Sequence, residues 1–201
     1  MSRILVVYYS RSGATANMAR HVARGIESVS GASAVLRTVP SVSAVSVSTA
    51  EDIPEDGPPY VDLDELRDID GLVLGSPTRF GNMSAALKQF LDGTGRLWVQ
   101  GTLVGKPAGV FTSSGTLHGG QESTLLSMML PLFHHGMLLV GLPFTEKDLR
   151  ETRGGGTPYG ASHMAGEPHS SKLQDAERRL CQALGRRVAT VAAALKNVAD
   201  D

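Results

Sequence analysis

Cysteine is almost missing from this chain. Cys181 stands alone, so no internal disulfide can form, and its helical, apolar-periodic surroundings mark a packed thiol rather than a reactive one. Aromatic residues are scarce, 5% of the chain with a single tryptophan, Trp98. Charge of one sign is lacking too: 19 Lys and Arg against 20 Asp and Glu leave a formal net charge of -1, and nothing in that balance points to nucleic acid. No apolar run reaches the roughly 18 residues that a membrane span requires, and no metal site is expected. The opening Met1-Ser2-Arg3 leads straight into a strand-like segment rather than a signal peptide, so a cytoplasmic protein is expected. What is present, 201 residues of which 41% are hydrophobic, suffices for a sizeable core in one α/β domain with elaborations.

The run from Ile4 to Tyr9 is continuous, β-branched and aromatic, which suits a strand covered on both faces of a parallel sheet. Past Ser10 to Gly13, the residues Met18, Val22, Gly25, Ile26 and Val29 recur at helical spacing, predicting a helix over 14–30. Ala34 to Val39 reads as a second strand, followed by a Ser-, Pro- and acid-rich loop from Pro40 to Pro59. Gly71 to Ser76 makes a third strand, with a polar segment Pro77 to Asn82 and a helix over 83–93. Ala108 to Thr112 is a fourth, with a loop from Ser113 to Gly120 and a helix over 121–133. Met137 to Val140 is the fifth. Arg153 to His169 is Gly-rich and aperiodic, and 171–198 reads as a long amphipathic helix. Alternating strands and helices predict a doubly wound, five-stranded parallel sheet in three layers, whose ligand would lie beyond the carboxyl ends of the strands.

The loop Ser10-Arg11-Ser12-Gly13-Ala14-Thr15 joins such a strand to a helix, so its amides face whatever lies above the sheet. Ser10, Ser12 and Thr15 bring hydroxyls, and Gly13 permits a tight turn. No Lys follows the glycine and no three-glycine fingerprint is present, so the chemistry suits a monophosphate rather than a triphosphate or a dinucleotide. A plain helix-capping turn uses the same residue types, and the loop by itself leaves both readings open. Arg11 either pairs with the phosphate or projects into water.

Two further loops add specificity: Pro77-Thr78-Arg79-Phe80-Gly81-Asn82-Met83, and Ser113-Ser114-Gly115-Thr116 with Gly119-Gly120-Gln121-Glu122. With Gly95 to Trp98, His134 to Met137 and Gly155 to Ala161, the chain resembles the WrbA-type NAD(P)H:quinone oxidoreductases of the flavodoxin-like family nearly end to end. The resemblance implies a flavodoxin-like fold, FMN as cofactor, NADH or NADPH as donor, a quinone as acceptor and a homotetramer whose flavin sites neighbouring subunits border. It also implies that residues 10–15 hold the phosphate and ribityl chain, that Thr78, Arg79 and Phe80 flank the flavin ring with Pro77, Gly81 and Asn82 beside them, and that Ser113 to Thr116 with Gly119 and Gly120 form the second ring-flanking loop. By the same resemblance His134 is a flavin-side histidine and Trp98 a substrate-side aromatic wall. The chain departs from the family in two places: Ser12 stands where many members carry an aromatic residue near the nicotinamide, and Leu117-His118 lengthens the third loop by one residue.

In the cycle so implied, FMN takes hydride from NAD(P)H and, after the nucleotide leaves, passes it to a quinone over the same ring face, a two-electron ping-pong order. Arg79 would add positive charge near the ring and His134 would donate a proton or hydrogen bond there. Each residue also has a plain structural alternative: an Arg paired to a surface carboxylate, a His satisfying carbonyls at a helix end, a Trp in the core or at an interface. Two other functions fit the same fold, a single-electron carrier flavodoxin, which would usually be strongly acidic, and a flavin-free scaffold.

Overall fold

The computed structural model describes residues 1–42, 57–166 and 170–199. Most of the expected Pro40 to Pro59 loop, and the end of the Gly-rich segment, therefore lie outside the described residues. Strands β1 (Ser2–Tyr8), β2 (Ala32–Thr38), β3 (Gly71–Pro77), β4 (Pro107–Ser114) and β5 (Leu138–Leu139) pair in parallel in the order β2-β1-β3-β4-β5. That is the doubly wound order, with the switch of direction between β1 and β3. Strands β3 and β4 are wholly buried, as a sheet covered on both faces requires.

The outer edge of β4 is shared. β5 covers only Pro107 and Ala108, and a further strand, β6 (Ala161–Met164), covers Phe111 to Ser114. Nothing in the sequence marks this strand, because four residues with Ser162 and His163 at their centre carry no apolar run. Pairing with β6 is also why β4 extends through Ser113 and Ser114, which the sequence assigned to a loop.

Alternation along β1 sorts the layers. Ile4, Val6 and Tyr8 pack on one face with α1 (Ala14–Glu27) and the long C-terminal helix, while Leu5 and Val7 face the helices on the other side. Those are α2 (Ala85–Asp92), α3 (Gly95–Val99) and α4 (Gln121–His134). A short α5 (Lys147–Glu151) precedes β6, and α6 (Asp175–Ala199) lies along α1. The helices start later than the apolar stripes suggested where a cap fixes the first turn: Ser84 accepts from Leu87 N–H and opens α2 at Ala85 rather than Met83.

Helices α1 and α6 touch backbone to backbone. A Cβ on Gly185 would stand 2.0 Å from the Val22 carbonyl oxygen, and one on Gly25 1.9 Å from the Gln182 carbonyl oxygen. Gly185→Ala is therefore expected to force the helices apart and cost about 1–3 kcal/mol, which lowers a thermal midpoint by roughly 2–10 °C in a chain of this size. Thermal denaturation by circular dichroism checks it.

His21 lies in the same helix interface, buried, with no hydrogen-bond partner for Nδ1. Burial pushes its pKa down, and Arg24, Arg178 and Arg20 push the same way. In the unfolded chain a His titrates near about 6.5. A lowered folded value means that the unfolded state takes up the proton first, so this contribution to stability is complete above about pH 6.5 and is lost as pH falls below it. His21→Leu is expected to shrink the stability difference between about pH 7.5 and pH 5.5 in urea unfolding.

Candidate functional site

The carboxyl ends of β1, β3 and β4 deliver three loops to one cleft of about 320 Å³. Arg11, Ser12, Ala14, Pro77, Thr78, Arg79, Ser113, Ser114 and Gly115 line it, together with Ala165. The first loop turns at Gly13, whose φ of 86° is the left-handed value that glycine accepts freely. Ser10 Oγ accepts from Ala16 N–H at 3.2 Å, and Gly13 O from Asn17 N–H at 2.9 Å. Among the described residues the amides of Ser12, Gly13, Ala14 and Thr15 have no acceptor within the protein. Four donors thus stand at the start of a fourteen-residue helix beside the cleft, which Ser12 and Ala14 line, with the positive end of the helix dipole behind them. Thr15 Oγ1 lies 3.1 Å from Ser113 Oγ, which ties the first loop to the third.

The second loop is held from below. Thr78 N–H donates to the Ser113 carbonyl at 2.8 Å, and Thr78 Oγ1 lies 2.7 Å from Thr124 Oγ1 on α4. Arg79 and Asn82 exchange both backbone hydrogen bonds, and Asn82 Oδ1 accepts from Met83 N–H and from the Ser127 hydroxyl. Inside that turn Phe80 has φ 53°, unusual for a residue with a bulky side chain, and its ring is fully exposed at the rim. Gly81, Gly119 and Gly120 do not line the cleft; they pack the second loop onto the third. A Cβ on Gly120 would lie 2.9 Å from Gly81 Cα, so any side chain there would part the loops. Ser114 Oγ donates to the exposed Thr116.

Arg79 is half-buried, and its Nη1 donates to its own loop at Thr78 O, 2.7 Å away. Among the described residues no carboxylate lies within ion-pair distance of it. Its charge is therefore available to the cleft.

His134 and Trp98 lie elsewhere. Helix α4 leaves the cleft at Gln121 and runs fourteen residues back along the sheet, which at 1.5 Å per residue carries His134 about 20 Å away. There Trp98 Nε1 donates to the His134 carbonyl at 2.7 Å, and both side chains line a second groove of about 450 Å³ with Leu91, Thr94, Pro131 and His135. Burial, reinforced by neighbouring His134, holds the His135 imidazole below its ordinary range, and its Nε2 lies 2.9 Å from Thr94 Oγ1. Within one chain this pair does not border the cleft. His118, on the lengthened loop, lines a third cavity with Gln121, Glu122 and Arg153.

A family model described as NADPH-dependent FMN reductase matches residues 2–145. The chain belongs to this family. An NAD(P)H dehydrogenase (quinone) from Syntrophobacter fumaroxidans is 45% identical over 94% of this chain and 97% of its own. One of the same name from Geobacter sulfurreducens is 45% identical over 96% and 98%. The crystal structure of a WrbA-like flavodoxin from Agrobacterium tumefaciens superposes with a TM-score of 0.68 at 26% identity, covering 96% of this chain and 99% of that one. The resemblance noted in the sequence and the flavodoxin-like fold are both borne out.

Sequence reasoning missed three residues of the candidate site. Ala165 lines the cleft directly, Thr124 braces Thr78, and Ser171 packs on Gly13, 3.5 Å from where a Cβ would stand. Ala165 lies inside the stretch from Arg153 to His169 in which no periodicity shows, and Ser171 just past its end. Thr124 carried a signal: it is a buried polar residue amid the apolar positions of α4, at the spacing that faces the sheet. Among the described residues no helix is long and apolar enough to cross a membrane, and no three His, Cys, Asp or Glu side chains converge as metal ligands would.

Proposed function

We propose that this chain is an FMN-dependent NAD(P)H:quinone oxidoreductase. The observation that carries the reading is the row of amides from Ser12 to Thr15, without acceptors among the described residues and flanked by the hydroxyls of Ser10, Ser12, Thr15 and Ser113, beside a cleft that Arg79 lines. Amides and hydroxyls at a helix start hold a phosphate monoester without an opposing cation, which fits the phosphate end of a flavin mononucleotide. The names of the curated relatives support NAD(P)H as donor and a quinone as acceptor. The flavin, when bound, supplies two-electron chemistry.

The protein's part is position and charge. Residues 10–15 would hold the phosphate and ribityl end, Pro77 to Asn82 would flank the ring on one side, and Ser113 to Thr116 would flank it on the other. Arg79 sets a positive charge where the ring's edge gains negative charge, fixed in advance by its hydrogen bond to Thr78 O. A cleft open on one side admits donor and acceptor by turns, so the kinetic order is ping-pong.

His134 and Trp98 enter the reading only through a second copy of the chain. On α4, Leu126, Leu130 and Phe133 recur at helical spacing and are 44%, 62% and 60% exposed, a stripe that continues to the half-exposed Trp98. Burying this stripe between subunits supports a homotetramer in which a neighbour's Trp98 and His134 border the cleft. The cytoplasmic location is proposed on the sequence alone.

Steady-state kinetics with NADH and a benzoquinone test the order: parallel double-reciprocal lines are expected, and intersecting lines would count against it. A stable one-electron state with negligible quinone reduction would instead favour the carrier flavodoxin. Sedimentation decides the oligomer, with four chains expected and one chain fatal to the roles of His134 and Trp98.

A further inference from the structure

Behind the cleft lies a charged cluster that the reaction does not use. His163 on β6 and Glu177 near the start of α6 are 1% and 0% exposed. His163 Nδ1 stands 2.8 Å from Glu177 Oε2, and its Nε2 stands 2.9 Å from the Ser170 carbonyl oxygen. A carbonyl only accepts, so Nε2 carries a proton. Glu177 Oε1 accepts from Gly155 N–H at 2.9 Å and Met164 N–H at 3.0 Å, and Oε2 accepts from Gln174 N–H at 2.8 Å. Three amides aimed at one carboxyl favour its ionised form. An ionised carboxylate only accepts, so Nδ1 carries a proton as well, and His163 is an imidazolium.

Both partners titrate as this geometry requires. Burial alone would push the His163 pKa down, but its hydrogen bond to Glu177 and the Ser170 carbonyl raise it. Burial would likewise raise Glu177, and the His163 hydrogen bond with the surrounding amides brings it below the ordinary carboxylate value. Among the described residues few other charges bear on the pair. Arg178, next along α6, turns to the Leu173 carbonyl and to Asp175. Cys181, one turn further, is pushed up by burial and by Glu177. On α1, His21 faces Arg24, Arg178 and Arg20.

Neither side chain lines the cleft, yet each holds a segment that does or that backs it. His163 clamps Ser170, whose N–H donates to the Ala165 carbonyl at 3.0 Å, and Ala165 N–H donates to the Ser114 carbonyl at 2.8 Å. Beside Ser170, Ser171 packs on Gly13 and accepts at its carbonyl from Asn17 Nδ2 at 2.8 Å. Glu177 joins the glycine turn at Gly155, the end of β6 and the start of α6. A buried ion pair gains little net stability over apolar packing, but it fixes geometry when every lone pair is matched, as here.

We propose that the buried His163–Glu177 pair is a positioning unit for the phosphate cradle, holding Ala165 and Ser171 against the Ser10 to Thr15 loop and so setting the affinity for the phosphate end of the flavin. This rests on the flavin reading above. The pair is complete above the lowered Glu177 pKa and below the raised His163 pKa, and its contribution is lost as pH rises through the latter.

The test has two arms. In ¹⁵N-labelled apoprotein at about pH 7.5, where an ordinary His is neutral, both ring nitrogens of His163 are expected to be protonated, the signals being assigned with His163→Gln. An unprotonated Nδ1 would overturn the pair. In FMN titrations of folded His163→Gln and Glu177→Gln proteins, the dissociation constant near pH 7 is expected to rise about tenfold or more, the value of one lost charge-assisted hydrogen bond. The wild-type affinity should fall toward theirs as pH rises, while theirs stays flat. Folded variants that bind as tightly as wild type overturn the proposal, and if His163→Gln fails to fold, the isosteric Glu177→Gln decides alone. A wild-type protein that takes up no FMN sinks the flavin reading instead. The amide shifts of Gly13 and Asn17 then decide the positioning claim: displacement in the variants is expected, and unmoved signals overturn it.

Discussion

Gly13→Asp protein is expected to fold with some loss of stability, which Gly13→Asn shares, and to lose its flavin, with the FMN dissociation constant rising at least about 100-fold. Gly13 is the N-cap of α1, with φ 86°, and a Cβ there meets the Ser171 side chain at an ordinary 3.5 Å. A φ of 86° strains any side chain, Asp and Asn less than most, and the charge of Asp suits a helix start. Everything that makes it good for the helix makes it bad for the ligand: the carboxylate would take the free amides for itself and repel the phosphate. Gly13→Asn, of the same shape without the charge, should retain most of the affinity. Isothermal titration of all three proteins with FMN reads the difference, and an Asp variant that binds normally would place the phosphate elsewhere.

Arg79→Met is expected to leave FMN affinity nearly unchanged and to lower kcat/KM for quinone reduction about 10²- to 10³-fold, the range seen when one preorganised stabilising donor is removed. Methionine keeps the volume of the stem, so the loop, which Thr78 and Asn82 hold through other bonds, should stand. With no carboxylate near Arg79 among the described residues, the lost charge has no internal partner to leave stranded. Arg79→Lys, which keeps the charge without the planar fork, should fall between. Equal loss in FMN affinity and turnover would instead make Arg79 a binding residue.

The sheet was legible in the sequence because its strands are covered on both faces. Ile4 to Val7 and Leu72 to Leu74 are unbroken apolar runs, and the polar segment after each marked the cleft edge. Met137 to Val140 was found too, although only Leu138 and Leu139 form the ladder, with Val140 N–H still donating to the Ala108 carbonyl. β6 was invisible for the opposite reason: Ser162 and His163 are buried by hydrogen bonds and an ion pair, and polar burial leaves no hydrophobic signature. The walls at Ala165 and Ser171 were missed with it. His134 and Trp98 were singled out by resemblance, but no local pattern says which end of a helix a residue occupies relative to a ligand. Fourteen residues of α4 separate them from the cleft, a distance that only the fold reveals.

The cradle formed by the amides of Ser12 to Thr15 is the claim on which the rest depends, and a titration of flavin-free protein with FMN tests it most directly. The flavin's fluorescence should be quenched with one equivalent per chain and a dissociation constant at or below the micromolar range, and inorganic phosphate should compete. Undiminished fluorescence at micromolar protein would contradict the account.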